Sequence, residues 1–379
     1  MSPLAVNLRS PNTGRTLHDD TPHSLTDGSF ERWPVVDGIP YLRTKSEGLV
    51  ALALERLDAD DGDGALVALL TDQDEWWTGP ATDLDELRQL VAVRDTLTLR
   101  EAMALLRFGP VADYFAYRWV DPTYLAGLAL LEAHWQEPAT CFELACGIGH
   151  YARELTRRGV QCLGADVVFA KCWLAKHWVA SEANFVCFDA ADSWPVAGQR
   201  FDLVHCQDAF YFLPEQEKVA ARLRDAVAPG GVLAVGHLHN ENYFNGAKGP
   251  ARAAKDWAAL FPNATVYDEY TLLWEMLGSR QPGPEGWQNN AEVEAWSLVE
   301  PPGQPRALVN GLTLPLPGAK LRPNPLIGTT SGDVRWPSDR WREEYQRGCF
   351  WANANDELPG PADTDPARLR RLVDLPERW

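Results

Sequence analysis

Short apolar runs, each closing on an acid or a glycine turn and each followed by a helical pattern, recur between residues 136 and 300. Phe142-Glu143-Leu144-Ala145 runs into Cys146-Gly147-Ile148-Gly149, Val160 to Ala165 ends at Asp166, and Asn184 to Phe188 ends at Asp189. Phe201-Asp202-Leu203-Val204 and Val232 to Gly236 continue the series. Runs of this length alternating with helix-period segments predict an α/β fold, a doubly wound sheet with helices on both faces. The helices are expected over His150 to Arg158, Val168 to Ala180, Glu215 to Val227 and Pro250 to Leu260. Thr265 to Tyr270 reads as a sixth strand and Ala295 to Val299 as a closing antiparallel one, with 273 to 290 inserted between them.

The flanks carry other patterns. From 46 to 135 the period is helical: Ser46 stands where it can cap Glu47 to Leu57, and Thr98-x-x-Glu101 forms a capping box. Pro122 opens a further helix through Leu131. The acidic stretch from Asp58 to Gly64 fails as a calcium loop, because aligning its acids puts Ala59 first and Leu70 last, so it reads as a solvated turn. Beyond 301 the chain is Pro-rich and irregular, yet it keeps Trp336, Trp341, Phe350 and Trp351. A disordered tail lacks such aromatics, so an extended arm packed over the body is expected.

A length of 379 residues exceeds one ordinary domain and allows a sizeable core. The patterns divide it into 1–45, 46–135, 136–300 and 301–379. Lys and Arg total 35 against 53 Asp and Glu, a net charge of -18. An acidic field of this size disfavours nucleic acid and anionic membranes as partners. The seven cysteines are scattered without paired spacing and read as buried thiols of a reducing compartment. With neither a leader pattern nor a membrane-length apolar stretch, a cytoplasmic protein is expected. Most of the 16 tryptophans should pack the core, with a few left to line a pocket. The sequence leaves the oligomeric state open.

The chemistry concentrates at Phe142 to Ala152. A strand running into an acid and then Gly147-x-Gly149 lets backbone approach a ligand, while the following helix points free N–H groups at it. Gly147-x-Gly149-x-x-Ala152 also fits the dinucleotide fingerprint. Three acids at successive strand ends separate the alternatives. An NAD site accounts for the glycines and one acid, but leaves Glu143 and Asp189 without a role.

In these residues the chain resembles the class I S-adenosylmethionine-dependent methyltransferases, which have a Rossmann-like fold. The resemblance extends through Ala228-Pro229-Gly230-Gly231 and covers roughly 136 to 300. It implies S-adenosylmethionine as cofactor, with Glu143 near the methionine amino group, Asp166 and Val167 at the ribose, and Asp189 and Ala190 at the adenine. Gly147, Gly149 and Gln207 complete the expected cofactor set, together with Ala145, which stands where the family most often has a glycine. His150, opening the first helix, is placed near the methionine carboxylate, and His205 inside a strand is read as structural.

Methyl transfer from a sulfonium mostly requires positioning and exclusion of water. A base is needed only where the acceptor carries a proton that must leave. Gln207-Asp208-Ala209-Phe210-Tyr211 resembles the family segment after its fourth strand, with Tyr211 and Phe212 in place of two histidines. Candidate catalytic residues are Asp208, Tyr211, His237 and His239, and Asn240 joins the acceptor side. Asp208 and His237 also have structural readings, as a helix cap and a core histidine. His237 and His239 with Glu241 could hold a metal, but no further ligand stands nearby in sequence, so none is expected. Upstream, Tyr114, Tyr117 and Arg118 lie where the family often places a lid, and Phe115 and Trp119 suit the core.

The first 45 residues resemble a zinc ribbon without its cysteines, of the kind found ahead of some ribosomal-RNA methyltransferases and as a methyltransferase activator subunit. Ser10, Thr13, Thr26 and Ser29 fall where thiolates would stand, followed by Asp37-Gly38-Ile39-Pro40. Neutral hydroxyls do not hold zinc, so the turns should be tied by side-chain bonds to backbone instead. The expected activity is methylation of O, N or C of a small-molecule metabolite. RNA methylation and a non-catalytic methyltransferase-like scaffold are the alternatives.

Overall fold

A computed structural model describes residues 6–73, 77, 79–243, 250–288, 290–309, 311–327, 333–353, 357–360 and 362–379. Met1 to Ala5, part of the expected leaderless start, and Asn289, in the expected insertion, lie outside the described residues.

The chain opens with antiparallel strands β1 (His18–Thr21), β2 (Ser24–Thr26), β3 (Arg32–Val36) and β4 (Ile39–Pro40), sheet-ordered as they occur. Hydroxyls tie the turns ahead of and within this sheet. Ser10 Oγ accepts from Asn12 and Thr13 N–H, Thr26 Oγ1 accepts from Gly28 N–H, and Ser29 Oγ accepts from Glu31 N–H. Among the described residues no group of three or more His, Cys, Asp or Glu could hold a metal ion. The head is joined to the main body at the Asp37 turn, whose carboxylate accepts from Trp173 Nε1 at 2.8 Å and lies 3.0 Å from His177 Nε2.

Helices follow: α1 (Glu47–Asp58), α2 (Gly62–Leu70), α3 (Leu84–Val93), α4 (Leu99–Leu105), α5 (Pro110–Tyr117) and α6 (Pro122–Ala133). The Thr98–Glu101 capping box is present at α4. Ser46 stands at the start of α1 but its side chain makes no capping bond there. The acidic turn has a local purpose: Asp61 accepts from Gly64 N–H at 2.9 Å and starts α2. α6 is buried along its whole length, as a helix between a sheet and further chain must be.

Seven strands form the central sheet: β5 (Thr140–Leu144), β6 (Gln161–Asp166), β7 (Asn184–Cys187), β8 (Phe201–Gln207), β9 (Val227–His239), β10 (Thr265–Asp268) and β11 (Ala295–Glu300). Their order is β10-β11-β9-β8-β5-β6-β7, parallel from β7 to β9, with β11 antiparallel to both neighbours. The order reverses beside β5, between β6 and β8, so the carboxyl ends of β5 and β8 open a crevice. The connecting helices are α7 (His150–Thr156), α8 (Phe169–Leu174), α9 (Gln216–Asp225) and α10 (Ala254–Leu260). The helix expected over Val168 to Ala180 leaves α geometry at Ala175 and finishes in a wider π turn through Val179. The strand expected to reach Tyr270 stops at Asp268, whose side chain accepts from Tyr270 N–H and caps α11 (Glu269–Leu277). Capping thus turns the start of the expected insertion into a helix.

The C-terminal stretch runs back over the body through β12 (Arg322–Pro323), α12 (Asp339–Tyr345), α13 (Pro366–Leu369) and β13 (Leu372–Val373). Asp374 takes Arg153 at 3.0 Å and Arg157 at 2.5 Å, and Trp379 Nε1 donates to Ala116 O at 2.7 Å. Among the described residues no helix is long and apolar enough to cross a membrane.

Candidate active site

The carboxyl edge of the sheet opens into a cavity of about 460 Å³. Three non-glycine residues on its wall, Ala145, Asp208 and His237, have φ of 57, 52 and 60°. Left-handed backbone at such residues is costly and persists where the surroundings enforce it, commonly at functional sites. All three sit where a sheet strand gives way to, or bends toward, the cavity.

One end of the cavity is built by the turn after β5. Gly147 has φ of 54°, and a Cβ there would stand 3.0 Å from the Phe115 ring. Gly149, φ 79°, lies behind the wall against Ala175 and Phe185. Asp166 braces the turn, accepting from Gly147 N–H and Val168 N–H at 3.0 Å each, with Lys171 Nζ at 3.5 Å. Asp189 accepts from Ala191 N–H at 2.8 Å. Glu143 differs from both: it is 3% exposed, and its Oε2 has no hydrogen-bond partner among the described residues. Burial pushes its carboxyl up to about 8; the Ala152 N–H works against that and neighbouring Asp166 adds to it.

The other end is a polar network around Asp208. Tyr114 and Tyr211 hydroxyls each donate to its carboxylate at 2.8 Å, and Arg118 lies 3.1 Å away. Arg118 also pairs with fully buried Asp121 at 2.9 Å. His237 Nδ1 meets Glu269 Oε2 at 2.5 Å, while its Nε2 is 3.8 Å from Asp208. Burial disfavours the charged ring, but Glu269 and Asp208 outweigh it and raise His237 to about 10. His239, 4.6 Å from His237 ring to ring, is lowered to about 3 by burial and by that neighbouring cation. Burial also lowers His150, to about 3, and its Nε2 faces Phe115 O at 2.9 Å.

One consequence is measurable. His237 should carry protons on both ring nitrogens from pH 7 to 9 in ¹⁵N imidazole spectra, whereas His239 and His150 stay neutral. Because the folded pKa of His237 lies above its ordinary 6.5, its stabilisation is complete below that value and is lost as pH rises through about 10. A His237 signal titrating near 6.5 would refute the Glu269 pairing.

The structure gathers most of the residues singled out in the sequence. Glu143, Ala145, Gly147, Asp166, Val167, Asp189, Ala190 and Gln207 line the cavity, as do Asp208, Tyr211, His237, His239, Tyr114 and Arg118. Two do not. Asn240 donates to Asn290 O and Val293 O and accepts from Asn242 N–H, so it fastens a loop. Tyr117 faces away, its ring against Trp341 and Trp379. Glu269, Asp121 and the α12 side chains Arg340, Trp341, Glu344 and Tyr345 join the site from places that strand-end reasoning does not reach. The aromatic density after residue 335 was the available signal for α12.

Residues 142–235 match the family described as Methyltransferase domain. They form a class I S-adenosylmethionine-dependent methyltransferase domain. The match runs from β5 into β9 and includes Glu143, the glycine turn, Asp166, Asp189 and Asp208. The chain is also similar to trans-aconitate 2-methyltransferases, 32% identical over 97 residues in Deinococcus radiodurans and 33% over 101 residues in Variovorax paradoxus. Each alignment covers 26% of this chain, and the chain spans only 37% and 38% of those relatives' lengths. A TehB-like SAM-dependent methyltransferase from Corynebacterium glutamicum is similar in structure at 18% identity and a TM-score of 0.35, over 46% of this chain and 85% of that one.

The cavity of this methyltransferase domain fits its cofactor on two observations. Gly147 leaves room that a Cβ would close, and Glu143 offers an unpartnered buried carboxylate oxygen suited to the methionine ammonium. When bound, the cofactor supplies a methyl group on a sulfonium.

Proposed function

We propose that the protein transfers a methyl group from S-adenosylmethionine to a small molecule held between Asp208, Tyr211, His239 and α12. The observation that carries this reading is the orphaned carboxylate oxygen of Glu143 beside the Gly147 turn, within a domain of the methyltransferase family. A buried carboxylate with one oxygen unpartnered is costly, and an ammonium-bearing ligand relieves it. On this reading Glu143 takes the ammonium, Asp166 the ribose hydroxyls and Asp189 the adenine side. The turn N–H groups approach the methionine part, and α12 excludes water from the acceptor end.

A cavity of about 460 Å³ suits a cofactor with a small acceptor. The net charge of -18 argues against a polynucleotide acceptor. Isothermal titration with S-adenosylhomocysteine tests the reading directly: saturable one-site binding is expected, and its absence would sink the proposal. Asp166→Ala should weaken that binding by about 1–3 kcal/mol, the loss of hydrogen bonds to an ionised acceptor.

A further inference from the structure

The acceptor end of the cavity is aromatic, and each cation on its wall is matched by a carboxylate. Arg118 is held between Asp121 and Asp208, and His237 between Glu269 and Asp208. Farther along the cavity, Arg43 pairs with Asp72 and Lys171 stands 3.5 Å from Asp166, and Arg340 is 3.9 Å from Glu344. A tricarboxylate acceptor needs several cations that are not already neutralised, and this wall offers only the exposed Arg340, whose contact with Glu344 is loose. The rings present what a positive charge needs. Tyr211 packs against Phe212 at 4.3 Å and Trp341 against Tyr345 at 4.6 Å, and all four line the cavity. The Arg118 guanidinium already lies over the Tyr114 ring, 5.1 Å from its centroid. Because the Tyr114 and Tyr211 hydroxyls donate into Asp208, their oxygen lone pairs remain to accept from an N–H.

The base question points the same way. His237 is engaged by two carboxylates and His239 is a weakly basic neutral imidazole, so neither suits removal of a hydroxyl proton. An amine that has shed its ammonium proton to solvent attacks through its nitrogen lone pair and needs no base in the transfer step itself.

Resting on the methyl-transfer reading, we propose that the acceptor is an amine, held by the aromatic rings of Tyr211, Phe212, Trp341 and Tyr345 and by the hydroxyl oxygens of Tyr114 and Tyr211. The nitrogen lone pair forms the N–CH₃ bond as the S–CH₃ bond breaks, positive charge passes from sulfur to nitrogen, and any remaining N–H proton leaves to solvent. Cation–π attraction and the nearby carboxylates favour the charge as it develops on nitrogen.

The test uses the full chain in two stages. It is first titrated with S-adenosylhomocysteine, then saturated with it and titrated with 2-phenylethyltrimethylammonium and with 3-phenylpropionate. The ammonium is expected to bind at least about tenfold more tightly than the carboxylate, and Trp341→Leu or the half-exposed Phe212→Ala should weaken it about fivefold, leaving S-adenosylhomocysteine affinity unchanged. Binding of S-adenosylhomocysteine with no preference for the ammonium, or with neither probe bound, overturns the amine assignment alone. Failure to bind S-adenosylhomocysteine overturns the methyl-transfer reading beneath it.

Discussion

Replacing Glu143 by glutamine should stabilise the ligand-free protein while weakening its hold on S-adenosylmethionine roughly a hundredfold. The two effects have one origin. The folded-state carboxyl is raised from 4.5 to about 8, so between those values the unfolded chain ionises and the folded chain does not. A raised acid pKa means that the folded state binds the extra proton, and stability falls as pH rises across this window by up to about 1.4 kcal/mol per unit. Glu143→Gln removes that slope. In urea unfolding the two proteins should match near pH 4.5, and by pH 8 the variant should lead by roughly 2–4 kcal/mol. Isothermal titration of the same samples supplies the other half: the neutral amide cannot pair with the methionine ammonium, which costs about 2–3 kcal/mol of affinity. A variant that loses stability at pH 8 would show that the Oε2 atom of Glu143 is stabilised by a partner in the folded protein.

That carboxylate was legible because it ends an apolar run, and so were Asp166 and Asp189. Strand period, glycine turns and acids at strand ends are local signals, and a parallel sheet brings its carboxyl edges together whatever fills the loops. The sheet was therefore readable down to its reversed last strand, Ala295–Glu300. Elements decided by capping or by distant packing were harder. Asp268 turns an expected strand end into the start of α11, and Ser46 leaves α1 without a side-chain cap. Asn240 was expected on the acceptor side, yet three backbone groups around it claim its side chain. The partners of the acceptor end come from far along the chain: Glu269 opens α11, and Trp341 lies on α12. No sequence period links such residues to His237 or Tyr211, so only the fold brings them together.

Replacing Arg118 by methionine should cost about 3–5 kcal/mol of stability, the loss seen when one partner of a buried ion pair is removed. Arg118 is 3% exposed and serves Asp121 and Asp208 together, so its removal leaves two buried carboxylates without their shared cation. The pH dependence separates this from a packing defect. Burial raises Asp121, Arg118 and the Tyr124 N–H oppose it, and the balance is about 6. Since that lies above the ordinary 3.8, Asp121 already lowers stability as pH rises from about 4 through 6. Without the guanidinium its pKa climbs further, so the variant's deficit should be small near pH 5 and large at pH 8 in urea unfolding. Asp121→Asn supplies the deciding comparison. An asparagine side-chain oxygen can still accept from Tyr124 N–H at the start of α6, so the cap survives. Added to Arg118→Met, it removes one of the stranded charges, and the double variant should be more stable at pH 8 than Arg118→Met alone. Simple additivity of the two losses would mean that Arg118 acts through packing, and the charge network around Asp208 would lose its claim to organise the acceptor end.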